Sequence, residues 1–303
     1  MCSSDLDRVV QMRRAVELRP DIAQLAIDLD DAYRNVGDSA ARIAMLADAT
    51  ARMPRWSDLT HRLGLAYFDA GDYPQAVATY LSRWFHVAEH RYALHGHYVQ
   101  AMTAQGLTNL LAGRLPEALD AFTRAGDYPE NLNIGRPDRN PGSSLADAWR
   151  AMTLQRLGRH AEADQAWADA AQRRARWWSM GPWEPDRILE PIHAMLAMRM
   201  LGRNEAAAAM AQRIEDHGAE IEANPDAGRD GKGYVTLVRA LAAGAAGDLA
   251  LAADLVAAVP DHSRRYDGLV RLAKLELTLL ETMAVHDAGA TQTPEPVGEP
   301  DGQ

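Results

Sequence analysis

The sequence predicts an all-α protein whose helices stack in pairs as an α-solenoid. Three observations support this prediction. The chain of 303 residues contains 47% hydrophobic and 24% charged residues, so it has enough apolar side chains to bury a core. Small and large apolar residues keep fixed distances from a recurring glycine. That glycine ends one predicted helix of each repeated unit, at Gly37, Gly71, Gly113, Gly158, Gly202 and Gly247.

The unit around Gly71 shows the repeated pattern most clearly. Gly71 suits the left-handed backbone position that ends a helix. Gly64 and Ala76 are small, as required where two helices approach closely, and Tyr80 is predicted to fill the space between helices. The full pattern of this unit is Leu63, Gly64, Tyr67, Gly71, Asp72, Tyr73, Ala76 and Tyr80.

The six units keep this register with one exception. Asp or Arg follows every glycine, and alanine stands five residues after it in five of the units: Ala76, Ala118, Ala163, Ala207 and Ala252. The first unit differs, because Asp30 stands seven residues before its glycine and Arg42 stands five residues after it. Six units in register make an internal repeat the organising feature of the chain.

The pattern resembles the tetratricopeptide repeat, a helix–turn–helix unit of about 34 residues. The resemblance covers about residues 8–283 and implies a right-handed superhelix of roughly six and a half antiparallel helix hairpins, with the first helix of each hairpin on a concave face. Met12, Ala15 and Leu18 are predicted to form the core face of a half-hairpin whose partner helix is missing.

Both ends of the sequence depart from the repeat. Residues 1–6 back-translate to a string similar to the end of a sequencing adapter, so we expect them to be an artefact of assembly. The array, residues 7–284, is then expected to be truncated at its N-terminus. Residues 266–283 are predicted to form a last, leucine-rich helix. Residues 285–303, rich in Gly, Pro, Thr and Glu, are predicted to be a disordered acidic tail.

Later repeats are longer than the first, with glycine-to-glycine spacings of 34, 42, 45, 44 and 45 residues. The extra residues are assigned to connections at 126–143, 177–186 and 220–233, which should share one rim with the junction around residues 84–98. Insertions on one face often mark a binding surface, although they also serve as solvated spacers.

Polar and aromatic side chains are concentrated on this predicted rim. Aromatic rings stack on sugars or peptides while polar groups orient them; the alternative is that these rings fill gaps between irregular repeats. The candidate rim residues are His90, Arg91, Tyr92, Tyr128, Glu130, Asn131, Arg136, Trp177, Trp178, Trp183 and Glu184.

A closer resemblance lies within about residues 80–190. Residues 128–137 read Tyr-Pro-Glu-Asn-Leu-x-x-Gly-Arg-Pro and follow the Gly-Arg-x-x-Glu-Ala turn at 113–118. This is similar to the C-terminal helical array of bacterial proteins whose N-terminal β-rich domain, of unknown function, is linked to carbohydrate processing. Ala88-Glu89-His90 departs from the aromatic–acidic–glycine run of that family. The resemblance implies a preceding domain and transfers no catalytic residue.

Composition and motifs exclude several kinds of site. The net charge of −10 argues against nucleic acid and anionic membranes as partners, and a single cysteine excludes a disulfide framework and a cysteine-based zinc site. His86-x-x-Glu89-His90 resembles the inverted zinc-protease motif but has no evident third ligand. We predict no catalytic residue, metal or cofactor. The cytoplasm is the default location, and it becomes unknown if the N-terminus is truncated.

Two classes of function remain. The first is a non-catalytic scaffold that binds a protein or peptide in its concave groove, formed in the best-defined unit by Asp58, His61, Arg62, Leu65, Phe68 and Asp69. The second is an accessory helical domain of a carbohydrate-active enzyme, in which the aromatic rim contributes to a sugar site.

Overall fold

The protein is all-helical in a computed structural model, which describes residues 3–86, 93–136, 142–172, 189–224, 228–259 and 267–290. No strand occurs in these ranges, so the predicted all-α class is confirmed. One turn of 3₁₀ helix, Glu130–Leu132, accompanies the α-helices. The helices are α1 Ser3–Leu18, α2 Ala23–Val36, α3 Ser39–Arg52, α4 Ser57–Ala70, α5 Tyr73–Leu81, α6 Ala93–Leu111, α7 Leu115–Ala125, α8 Ser144–Arg156, α9 His160–Gln172, α10 Leu189–Met200, α11 Asn204–Ala223, α12 Gly228–Ala246, α13 Leu249–Ala258 and α14 Asp267–Ala290.

Tight turns join the helices in pairs at the glycines of the repeat. All six glycines have φ between +71° and +94°, a left-handed conformation that other residues rarely adopt. Where Asp follows the glycine, its carboxylate accepts a hydrogen bond from a backbone N–H of the next helix and so caps it. These capping bonds come from Ala41 to Asp38, from Gln75 to Asp72 and from Leu251 to Asp248.

The helices contact one another in a regular order. Within each pair the two helices pack together, from α2 with α3 to α12 with α13. We call α2, α4, α6, α8, α10 and α12 the first helices of the pairs; each of them also contacts the next in that series. The last described helix, α14, does not follow this order: it packs on α4, α6, α12 and α13, and its Glu276 also bonds to side chains of α8 and α10.

Close approach of the paired helices depends on glycine. A Cβ placed on Gly64 would lie 2.4 Å from Cε1 of Tyr80, and one placed on Gly106 would lie 2.5 Å from Cε1 of Phe122. Both rings are fully buried. The prediction that Gly64 is small because helices meet there, with Tyr80 filling the space, is confirmed.

Gly64→Ala is therefore expected to lower the free energy of unfolding by about 1–2 kcal/mol, because overpacking against Tyr80 outweighs the higher helix propensity of alanine. Urea denaturation measures this loss. Gly135→Ala is the control, since a Cβ on Gly135 meets nothing within 4 Å. Equal stability of the Gly64→Ala protein and the parent would contradict the close contact.

The first pair replaces this small-residue contact with buried charge. Arg42 Nε lies 2.5 Å from Asp30 Oδ1, and Arg42 Nη1 lies 2.6 Å from Asp69 Oδ2 on α4. Asp30 also accepts from Arg62 at 2.6 Å, and Asp69 accepts from Arg34 at 3.0 Å. The two residues that depart from the repeat pattern are thus ion-pair partners, and each compensates for the other.

Two predicted boundaries differ from the observed ones. The expected connection at 220–233 is shorter, because α11 continues to Ala223 and α12 begins at Gly228. Buried Ile221 holds the last turn of α11 on the core. Similarly, α14 continues to Ala290, six residues into the segment predicted as a tail. Helix-compatible residues precede the first proline after α14, Pro294, so the leucine pattern placed this end too early.

Candidate functional site

The most unusual contact of the fold is the surface on which α14 lies, which we call the α14 interface. It comprises Gly268, Arg271, Glu276 and Leu277 of α14, with the residues that they contact on four first helices: Phe68, Asp69, Trp149, His193 and Gly244. The leucine pattern of residues 266–283 predicted a last helix, and α14 confirms its existence. The pattern did not indicate where this helix packs.

The first turn of α14 lies directly against α4. A Cβ on Gly268 would lie 2.4 Å from Cδ1 and Cε1 of Phe68 and 2.7 Å from Oδ1 of Asp69. One turn later, Arg271 Nε donates a hydrogen bond of 2.9 Å to the backbone oxygen of Asp69. Only glycine allows the helix backbone this close to the Phe68 ring.

A buried polar cluster lies at the middle of the α14 interface. Trp149 Nε1 on α8 donates to Oε1 of Glu276 at 3.1 Å, and His193 Nε2 on α10 lies 2.9 Å from the same oxygen. The other ring nitrogen of His193 is 2.7 Å from the backbone oxygen of Leu189. These three residues are at most 3% exposed: Trp149, His193 and Glu276. Buried polar groups at such depth are stable only when they are paired.

The hydrogen bonds of His193 favour its charged form. A carbonyl oxygen only accepts, so Nδ1 carries a proton toward Leu189, and the Glu276 carboxylate accepts from Nε2. Burial is the largest single influence and lowers the pKa of His193. The charge of Glu276, the hydrogen bonds to Glu276 and Leu189, and the charge of Glu190 oppose burial and together raise the pKa above its ordinary value of 6.5.

The raised pKa predicts a pH-dependent contribution to stability. His193 binds its proton more tightly in the folded chain, so its contribution is complete below pH 6.5 and is lost as pH rises through the folded pKa. The difference in unfolding free energy between the wild type and His193→Gln, which does not titrate, should therefore shrink as pH rises from about 6.5 through the folded pKa of His193. Denaturation curves across this range measure it. A constant difference would show that folding does not shift the pKa of His193, and a difference that grows with pH would show that the buried ring is neutral.

The second half of α14 packs on α12. A Cβ on Gly244 would lie 2.7 Å from Cδ2 of Leu277 and 3.7 Å from Cδ1 of Leu280. Within residues 267–282, the exposed side chains of α14 form one narrow stripe, and the other residues are buried or half-buried. That stripe consists of Arg271, Lys274, Thr278, Glu281 and Thr282. The helix is therefore enclosed on most sides.

The six residues predicted to form a binding groove all lie on α4. Phe68 and Asp69 belong to the α14 interface, as described above. The guanidinium of Arg62 donates to Asp30 and Asp31 of α2, and His61 Nε2 lies 2.7 Å from His97 Nδ1 of α6. The side chains of Asp58 and Leu65 are half-buried on the same helix. That this set binds a partner stays a prediction.

Four predicted rim residues fall within the described part of the chain: Tyr128, Glu130, Asn131 and Arg136. Three of them line a cavity of about 600 Å³ that we call the Tyr128 cavity. Acidic and basic side chains and two tyrosines line this cavity. Its wall consists of Leu81, Tyr98, Arg124, Asp127, Tyr128, Pro129, Glu130, Ile134 and Arg136. The other predicted rim residues lie outside the described residues: His90, Arg91, Tyr92, Trp177, Trp178, Trp183 and Glu184.

The ring of Tyr128 is held in place by stacking. Its centroid lies 3.9 Å from that of His95, with an angle of 11° between the planes. His95 Nε2 donates to the backbone oxygen of Asp127 at 2.9 Å. Burial lowers the pKa of His95 despite this hydrogen bond, so the ring is neutral at pH 7. An ordered aromatic wall is suited to stacking against a flat ligand.

Asn131 has a different environment from its neighbours. Its amide donates to the backbone oxygens of Tyr80 and Arg83, each at 2.8 Å, and its own backbone oxygen accepts from the N–H of Phe85 at 2.7 Å. These bonds bring together the junction around residues 84–98 and the first insertion, the two segments expected to share a rim. Asn131 thus joins two segments, and the Tyr128 cavity lies beside them.

Comparison with known proteins supplies no family for this chain. No protein-family model matches it, and no curated protein matches it. Among the described residues, no group of three or more His, Cys, Asp and Glu side chains is arranged to hold a metal ion. None of the described helices has both the length and the apolar character needed to cross a bilayer.

Sequence reasoning missed the cluster of Trp149, His193 and Glu276. A signal was present in two places: Glu276 interrupts the leucine face of α14, and His193 stands among apolar residues of α10. A charged residue on an apolar helix face predicts a buried partner. Nothing in the sequence joined the two, because the residues lie 83 positions apart.

Proposed function

We propose that the chain is a tetratricopeptide-like, right-handed α-solenoid of antiparallel helix hairpins that acts as a non-catalytic scaffold for protein or peptide binding. The six left-handed glycine turns and the contacts between successive first helices support the solenoid arrangement. In such an array the first helices line a concave groove, and that groove is the proposed binding surface.

One observation carries the proposed function: α14 lies against five of the six first helices. Its contacts run from Phe68 on α4, through Trp149 and His193, to Gly244 on α12. The groove is therefore complementary to an amphipathic helix, which it holds by apolar packing and by a few buried polar contacts. Recognition of a helix laid in a groove is a common mode of peptide binding.

The proposed ligand is thus a helical segment that competes with α14. Because α14 belongs to the same chain, it occupies the groove at a high effective concentration. A partner helix binds only when its contacts outweigh this advantage, or when α14 is weakened. Gly268→Val weakens α14 selectively, since its side chain would overlap the Phe68 ring.

Panning a displayed library of amphipathic helices against the whole chain of 303 residues tests this function. Selected peptides are expected to bind Gly268→Val at least about tenfold more tightly than the wild type and to accelerate amide exchange within residues 267–282. Gly135→Ala is the control and should bind as the wild type does. Failure to select any helix, or binders that leave α14 exchange unchanged, would contradict the proposal.

A second candidate function is favoured by the Tyr128 cavity. Its stacked tyrosine, two arginines and two carboxylates suit an oligosaccharide, as expected for an accessory helical domain of a carbohydrate-active enzyme. On a glycan array, Tyr128→Ala is expected to abolish any sugar binding of the full chain. Trp56→Ala is the matched control, because this exposed tryptophan does not line the cavity. Sugar binding that survives Tyr128→Ala would refute this site.

A further inference from the structure

Two buried N–H donors on neighbouring helices converge on one carboxylate oxygen. Trp149 Nε1 and His193 Nε2 lie 3.1 Å and 2.9 Å from Oε1 of Glu276. The donors belong to α8 and α10, which contact each other, whereas the acceptor belongs to α14. The groove therefore contains a site for a carboxylate, and α14 supplies the carboxylate that fills it.

We propose that Trp149 and His193 select an acidic residue on the helix that the groove binds. This inference rests on the proposed function. It specifies the partner as an amphipathic helix with glutamate at the position of Glu276 and a glycine eight residues before it, at the position of Gly268. In this view α14 is an internal ligand whose side chains show what the groove recognises.

The selectivity follows from the penalty for leaving buried groups unpaired. A helix with an apolar residue in place of the glutamate would strand the Trp149 N–H and the charged ring of His193 away from water. Such a site rejects wrong ligands more strongly than it favours the right one. A purely apolar contact with α14 would have provided packing without this discrimination.

The glycine requirement comes from the opposite end of the interface. A Cβ at the position of Gly268 would lie 2.4 Å from two carbons of the Phe68 ring. Phe68 is itself buried and packs on Tyr73, with ring centroids 5.8 Å apart, so the ring has little room to move. Together the two ends set the register of a bound helix.

A labelled peptide of residues 267–282, titrated into the 303-residue chain carrying Gly268→Val and followed by fluorescence anisotropy, tests the inference. We expect the Glu276→Gln peptide to bind about tenfold or more weakly than the parent peptide, because it removes the charge that His193 pairs with. The Lys274→Gln peptide is the control, since Lys274 is exposed on α14. It should bind like the parent.

A second experiment changes the groove residues instead of the peptide. In chains that also carry Trp149→Phe or His193→Gln, the preference for the glutamate peptide is expected to fall to within about threefold. Undiminished preference in both chains would overturn the inference, as would equal binding of the glutamate and glutamine peptides to Gly268→Val.

The result distinguishes this inference from the proposed function. If both peptides bind the groove without discrimination, the function stands and the selectivity does not. If neither binds while amide exchange shows α14 released, both are wrong. Should Gly268→Val fail to fold, Arg271→Ala provides a second background, because it removes the side-chain bond from α14 to the backbone oxygen of Asp69.

Discussion

Glu276→Ala is expected to lower the free energy of unfolding by about 3–5 kcal/mol near pH 6, because it leaves a buried imidazolium and the Trp149 N–H without their partner. Both groups are almost fully buried, so water does not replace the lost contact. The loss should appear first as faster amide exchange within residues 267–282 and then as a lower denaturation midpoint. Guanidinium denaturation and hydrogen exchange measure the two effects.

Two matched variants make this result specific. Lys274→Ala alters an exposed residue two positions away on the same helix and should leave stability unchanged within error. Glu276→Gln keeps the side-chain shape and one acceptor oxygen, so it should lower the free energy of unfolding less than Glu276→Ala does. If Glu276→Ala and Lys274→Ala have the same free energy of unfolding, Glu276 does not hold α14 in place.

Arg42→Ala is expected to destabilise the first pair by about 3–5 kcal/mol, since it removes one of the two cations that pair with each of the buried carboxylates of Asp30 and Asp69. Adding Asp30→Ala to this variant should restore most of the loss, because Arg62 retains Asp31 and Asp69 retains Arg34. Chemical denaturation of the two single variants and the double variant gives the coupling energy between the residues.

The expected recovery distinguishes a buried pair from a surface pair. Arg14 and Glu17 form an exposed ion pair on α1, and Arg14→Ala should leave the denaturation midpoint unchanged. If Asp30→Ala adds to the loss caused by Arg42→Ala instead of reducing it, the two residues act independently, and their joint departure from the repeat is coincidental.

Local structure could be predicted from the sequence wherever it depends on residues that are neighbours in the chain. The Gly–Asp pairs predicted turns and capped helices because a left-handed glycine and a capping carboxylate act within a few residues. The helix boundary near 220–233 could not be predicted as well. Residues of this type occur in both helices and loops, and the helix continues here because Ile221 is buried against the core.

The residues of the candidate sites could be predicted from the sequence only in part. The insertion pattern pointed to Tyr128, Glu130 and Arg136, which the fold places around one cavity. It grouped Asn131 with them, although the side chain of Asn131 instead joins two segments through backbone oxygens. Residue type suggests what a side chain recognises, but the backbone around it decides which groups it reaches.

By itself, the sequence determined that this protein is helical, that six glycines form turns between its helices and that a leucine-rich helix follows the repeats. These features follow from short-range periodicity and turn chemistry. Only the tertiary structure decided that α14 lies on the first helices, that Glu276 pairs with His193 and that Asp30 pairs with Arg42. Those contacts depend on which buried charges meet after distant segments pack. The sequence shows that a buried charged residue needs a partner, but it does not show which residue that partner is.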